Sequence, residues 1–131
     1  MIKLSDDIKI AKNMRNKSYS PYSNYTVGCV LVCKNGKRYT GCNIENNGIQ
    51  SICAERVAFT KAISEGEKEF DYIITLGGKK EEEAVDECLP CGYCRQFMNE
   101  FVDKNFKIYS IDKENVKKYN MDDLLPYSFK L

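Results

Sequence analysis

Cys91 and Cys94 stand three residues apart directly after a proline, in Pro90-Cys91-Gly92-Tyr93-Cys94-Arg95. Proline suits the start of a helix, so the two thiols share one helix face and can grip one metal ion from a single turn. A third thiol lies 38 residues earlier, in Cys53-Ala54-Glu55-Arg56, two residues before a carboxylate. Three protein ligands leave the fourth tetrahedral position of a zinc ion open to water, the arrangement of a catalytic site, whereas structural sites are closed by four. Cys88 forms an overlapping pair with Cys91 at the same spacing, but it falls before the helix, which favours Cys91 with Cys94. Glu55 points to a different side of a regular helix from Cys53 and is not the natural fourth ligand. Beside the metal, a carboxylate can take a proton from water and pass it to a substrate nitrogen. The pattern therefore predicts a hydrolytic zinc enzyme.

Three thiolates leave a zinc cluster at minus one, and Arg56 and Arg95 each adjoin a ligand in sequence. Guanidinium donors to the sulfurs would withdraw charge and keep the metal an adequate Lewis acid. Plainer roles exist for the same residues. Either arginine could serve a surface ion pair, and Glu55 could be an acid favoured by a helix N-terminus. Cys91 and Cys94 could form a redox dithiol, or join Cys53 and Cys88 in a closed structural zinc site.

With 131 residues, the chain is read as one domain over 1–131. Hydrophobic residues at 43% and charged residues at 30% fit a globular fold rather than a disordered one. The net charge of +1, with both signs interspersed, lacks the basic footprint of a nucleic-acid or membrane-surface binder, so a small neutral substrate is expected. No apolar run approaches a signal or membrane-spanning segment, and cytoplasmic placement is expected. Seven cysteines in a reducing compartment read as metal ligands or small hydrophobes rather than as a disulfide frame. No histidine occurs, which excludes His-based triads and His-ligated zinc.

The elements that must place these groups follow from periodicity. Leu4, Ile8, Ala11 and Met14 predict an amphipathic first helix over 4–17, serving as core cover, and Ser18 to Tyr25 an ordered loop around Pro21. Thr26 to Lys34 is a strand covered on both faces, turned by Asn35-Gly36 into an antiparallel strand ending at Cys42. Cys29, Cys33 and Cys42 inside that hairpin read as core. Asn43 to Gly48 is a polar loop, and Cys53 to Gly66 a buried helix whose first turn carries Cys53 and Glu55. Phe70 to Leu76 predicts a third strand ending at Gly77-Gly78, Lys79 to Glu87 a solvated excursion, and Cys91 to Val102 the second metal-bearing helix. Phe106 to Ile111 predicts a fourth strand and Met121 to Leu125 a short last helix. A hairpin followed by alternating helices and strands means a mixed α/β sheet whose later strands are parallel, with both thiol segments at its carboxyl end.

Taken together, Cys53-Ala54-Glu55-Arg56 and Pro90-Cys91-Gly92-Tyr93-Cys94-Arg95-Gln96 resemble the small homotetrameric zinc-dependent cytidine deaminase family. The likeness extends to Tyr22-Ser23, Val27-Gly28, Gly41-Cys42-Asn43-Ile44-Glu45-Asn46, Phe97 to Phe101, and Leu124-Leu125-Pro126 with Phe129. It implies a three-layer α/β/α sandwich with a mixed, about five-stranded sheet, and one Zn2+ per subunit on Cys53, Cys91 and Cys94. It also implies Glu55 as the proton shuttle in the attack of water on C4 of the pyrimidine, giving uridine and ammonia. Asn43 and Glu45 would hydrogen-bond the ribose hydroxyls, backbone groups at Ala54 and near Cys91 would read the base edge, and Tyr25 would lie against the base. Phe129 would enter a neighbouring subunit's pocket in a homotetramer with sites at its interfaces.

Two departures stand out. Asn47-Gly48-Ile49 replaces the family's usual continuation and leaves the stretch before Cys53 one residue shorter, and Leu89 replaces a small polar residue, with an effect expected on packing rather than chemistry. The nearest rival is a deaminase of another aminated pyrimidine nucleoside such as blasticidin S. Asn43 with Glu45 favours a plain nucleoside, and the balanced charge disfavours a nucleic-acid substrate.

Overall fold

The computed structural model describes residues 4–83 and 85–130. The sheet begins with β1 (Tyr25–Cys33), the continuously apolar run of the sequence. Asn35 and Gly36 reverse the chain, with Gly36 at φ 88°, and β2 (Arg38–Cys42) returns antiparallel to β1. On its other side β1 pairs antiparallel with β3 (Phe70–Lys79), which runs parallel to β4 (Lys107–Asp112). A fifth strand, β5 (Asn115–Asn120), closes the order β2-β1-β3-β4-β5. The periodicity of the sequence gives no strand there, because β5 is an edge strand whose residues are exposed or half-buried and carry no apolar alternation.

Alternation along the strands sends side chains to two faces. Cys29, Leu31, Cys33 and Ile73 pack under α2 (Ala54–Ser64), α3 (Gly92–Asn99) and α4 (Met121–Leu124), together with Phe59, Met98 and Leu124. Val30, Val32, Tyr72 and Ile74 face the opposite side and pack with Ala11 of α1 (Leu4–Met14). This is the expected three-layer α/β/α arrangement. Cys29, Cys33 and Cys42 are buried in it, as expected of core thiols.

Several expectations need correction. The first helix stops at Met14 and passes into a 3-10 turn at Arg15–Lys17. It is also more than core cover: Asp7 is fully buried, where it accepts from Arg38 Nε at 2.6 Å and from Tyr72 Oη at 2.6 Å. β3 does not stop at Gly77-Gly78 but continues to Lys79, because those glycines pair with Val27 and Thr26 of β1. The charge run after it is not wholly solvated. Val85 is fully buried and accepts from the Lys113 N–H, and Glu87 accepts from Tyr119 Oη; Ala84, within the run, lies outside the described residues.

Helix ends decide where the thiols sit. α2 begins at Ala54, so Cys53 occupies its N-cap rather than its first turn; Cys91 likewise caps α3, which ends at Asn99 rather than Val102. At the far end of α2, Gly66 at φ 96° donates to Ile63 O while Glu67 donates to Ala62 O, a left-handed stop that only glycine adopts without strain.

Candidate metal centre

Both N-cap cysteines have extended backbones, Cys53 at φ −76° and ψ 155° and Cys91 at φ −68° and ψ 166°, and each stands at the start of a helix whose first N–H groups have no intrahelical partner. Cys94 lies one turn into α3 and is buried. The three sulfurs lie within 4.8 Å of one another, with Cys53 Sγ 3.7 Å from Cys91 Sγ and Cys91 Sγ 3.6 Å from Cys94 Sγ. Zinc–sulfur bonds of about 2.3 Å at tetrahedral angles put ligand sulfurs about 3.8 Å apart, so this donor set fits zinc in both chemistry and spacing. Cys88 is not in the cluster; burial, then the charge of Glu55, pushes its thiol up to about 12. Among the described residues no fourth side chain completes a closed site.

Acidity in the cluster is unevenly shared. Cys53 is pulled down to about 5, chiefly by the hydrogen bond with Cys94 and further by Cys91 and Arg56, against the effect of burial. Cys94 is raised correspondingly, by that same bond and by burial. Two helix N-termini meet here, and their dipoles favour the thiolate form that a metal requires.

Glu55, in the first turn of α2, is 3% exposed. Burial raises its pKa to about 7; its own backbone N–H opposes the shift, the nearby Cys53 sulfur adds to it, and Thr75 and Arg56 oppose it. Thr75 Oγ1 donates to Glu55 Oε2 at 3.2 Å from the buried centre of β3. Sequence reasoning missed Thr75, and its only trace there is one hydroxyl in the apolar run Ile73-Ile74-Thr75-Leu76.

The two arginines part company. Arg56 is raised above its ordinary pKa: burial works against its charge, but hydrogen bonds to Cys94 and Cys53 outweigh it. Its guanidinium also stacks 4.3 Å from the ring centroid of Tyr93, a contact the sequence did not announce. Arg95 instead donates to Pro90 O at 2.6 Å and Leu124 O at 2.8 Å, tying the ligand loop to α4 rather than reaching the sulfurs.

The remaining candidate residues form a rim. Asn43 Oδ1 accepts from Val27 N at 2.8 Å and Ser18 Oγ at 2.6 Å, and its Nδ2 donates to Tyr25 O at 2.9 Å. Glu45 accepts from the backbone N–H groups of Tyr22 at 2.9 Å and Ser23 at 3.2 Å and from Ser23 Oγ. The Ser23 hydroxyl is the largest influence holding the Glu45 carboxyl below the usual carboxylate range. Tyr25 is half-buried with its hydroxyl pushed up to about 12, by burial first and then by Cys88. Ala54 O accepts from Cys29 Sγ at 3.2 Å. Leu89 packs against the core under α2 and α3, while the Phe129 ring is 63% exposed and joins neither core cluster.

Residues 1–110 match the model of the cytidine and deoxycytidylate deaminase zinc-binding region. The chain belongs to the cytidine and deoxycytidylate deaminase family. Among the relatives of this deaminase, the cytidine deaminase of Sporosarcina psychrophila is 35% identical over 121 residues, covering 91% of this chain and 85% of the relative. That of Mycoplasma genitalium is 32% identical over 125 residues, covering 94% and 92%. The crystal structure of cytidine deaminase from Burkholderia pseudomallei superposes with a TM-score of 0.86 at 35% identity, over 98% of this chain and 100% of that one. The deaminase fold and the cysteine centre thus agree with the family's zinc-binding region, and Cys53, Cys91 and Cys94 form a cluster able to hold a metal ion. No helix among the described residues is long and apolar enough to cross a membrane.

Proposed function

We propose that residues 1–131 form one catalytic domain that hydrolyses the exocyclic C–N bond of cytidine and deoxycytidine, giving uridine or deoxyuridine and ammonia. The observation that carries the reading is the meeting of three sulfurs, within 4.8 Å of one another, with a buried carboxyl two residues from one of them. Cys53, Cys91 and Cys94 would hold the zinc ion, which would supply Lewis-acid activation of the attacking water. Glu55 takes one proton from the attacking water and delivers it to N3, then takes the second from the hydroxyl added at C4 and delivers it to the departing amine, so one water is consumed for each ammonia released. A carboxyl raised to about 7 by burial is matched to both halves of that task near neutral pH.

The rim residues select the nucleoside. Asn43 spends one of its two amide hydrogens on Tyr25 O, which leaves the other for a ribose oxygen. Glu45 offers carboxylate oxygens to a ribose hydroxyl. Tyr25 lies against the base, and backbone groups at Ala54, whose N–H begins α2, and near Cys91 read its edge. Arg56 moderates the sulfur charge, and Arg95 acts on the same ligands only through the loop it braces. Phe129 and Ile49, exposed by 63% and 96%, support a homotetramer in which Phe129 completes a neighbouring site.

The decisive experiment is a spectroscopic assay of cytidine loss with metal content measured alongside. Glu55→Gln should keep zinc and fold while losing at least about 100-fold in rate; near-normal turnover would remove the mechanism. Parallel assays with deoxycytidine, cytosine, CMP and blasticidin S set the substrate class, and light scattering gives the number of chains. The same reading places the protein in cytoplasmic pyrimidine salvage, which cell fractionation and growth on cytidine as sole pyrimidine source would test.

A further inference from the structure

Strand β3 contributes one polar side chain to the buried layer beneath the metal helices. Thr75 is fully buried between Ile74 and Leu76, and it faces the side of the sheet occupied by Ile73 and α2. Its hydroxyl reaches Glu55 Oε2 at 3.2 Å. Its partner across the β1–β3 ladder is Cys29, whose Sγ donates to Ala54 O at 3.2 Å. Two cross-strand neighbours therefore hold two consecutive residues at the start of α2. Ser110, the parallel partner of Thr75 on β4, has a buried Oγ with no partner among the described residues, so that hydroxyl does not share the task.

We propose that Thr75 is a positioning residue of the deaminase reaction: its hydroxyl anchors one carboxyl oxygen of Glu55 and fixes the direction from which that group exchanges protons. The inference rests on the reading of Glu55 as the proton carrier. Packing alone does not call for a hydroxyl at this position. Valine has nearly the same shape, favours strands, and needs no hydrogen-bond partner among isoleucines and leucines. The torsion that turns a carboxyl about its last carbon–carbon bond is broad and soft, so an untethered Glu55 would spend much of its time misdirected. One bond to a buried, strand-held donor removes that freedom without occupying the second oxygen. A misaligned proton carrier lowers the rate of the chemical step while leaving substrate binding unchanged.

Thr75→Val should lower kcat about tenfold with KM for cytidine, uridine affinity and zinc content unchanged, whereas Thr75→Ser should keep kcat within about threefold of the parent. In a Glu55→Gln background, Thr75→Val should add no further loss, because the group it positions is no longer a proton carrier. Unchanged kcat in Thr75→Val, an equal loss in Thr75→Ser, or an additional loss in the Glu55→Gln background would each overturn the inference. Should the valine variant not fold, Thr75→Ala against Thr75→Ser makes the same comparison, and equal rates would sink it. Normal turnover by Glu55→Gln would instead bring down the proton-carrier reading itself. An inactive Glu55→Gln beside a normal Thr75→Val would bring down this inference alone.

Discussion

Cys53 and Cys88 are both half-buried thiols near the charge of Glu55, yet one is pulled down to about 5 and the other pushed up to about 12. The difference is company: Cys53 sits at a helix start with two sulfurs and Arg56 around it, whereas Cys88 meets only the Tyr25 hydroxyl as a favourable neighbour. A metal ligand must shed its proton, so the first is prepared to bind and the second is not. Cys53→Ser should therefore lower bound zinc to well under one per chain by elemental analysis. Cys88→Ser should leave it at about one, since Cys88 stands outside the cluster. Equal zinc loss in both variants would mean that the fourth thiol is a ligand after all.

At the scale of elements, two helices are pressed onto the sheet so closely that glycine is required beneath them. A Cβ at Gly28 would lie 2.0 Å from Ala11 O of α1, and one at Gly41 would lie 2.2 Å from Ala54 O of α2. Both obstacles are backbone, which cannot rotate aside. Gly41→Ala should cost about 1–3 kcal/mol in urea unfolding, the usual range for overpacking, and should also weaken zinc retention by displacing the start of α2 that carries Cys53. An alanine variant with parental stability and metal content would refute the close approach. The placement of the ligand helices was legible in the sequence because Ala54, Ala58 and Ala62 recur at helical spacing, and because Pro90 precedes a thiol pair. Their exact starts were not, since an N-cap is defined by backbone angles that side-chain spacing leaves open. Asp7 and Thr75 were illegible for a different reason. A single polar residue in an amphipathic or apolar segment reads as solvent-facing or incidental until its partner from a distant strand is known.

For the whole molecule, the two faces of the sheet are held differently. Three helices cover one face with a large aromatic and aliphatic core, whereas α1 covers the other beside Val30, Ile74 and the T-shaped pair Tyr72 and Tyr109. The polar tie of α1 to that thinner layer is Asp7, held by Arg38 of β2 and Tyr72 of β3. Burial first, and then the bond to the Asp7 carboxylate, raises the pKa of the Tyr72 hydroxyl above its ordinary value. A phenol that resists ionisation in the folded state but ionises freely when unfolded gives stability that is complete below the unfolded pKa, about 10, and is lost as pH rises beyond it. The buried thiols Cys29 and Cys33 and the half-buried Cys88, also raised by burial, act with the same sign from about pH 8.5. Unfolding free energy should thus fall from mildly alkaline pH and fall more steeply above about 10. Tyr72→Phe isolates one contributor: at pH 7 it should cost about 2 kcal/mol, as expected for a buried hydrogen bond to a charged group. Above about pH 10 the gap between parent and variant should close at no more than about 1.4 kcal/mol per pH unit, because the phenylalanine has no proton to lose. A gap that stays constant up to about pH 11 would mean that Tyr72 ionises as readily in the folded chain as in the unfolded one. The tie of α1 to the sheet would then rest on Arg38 alone.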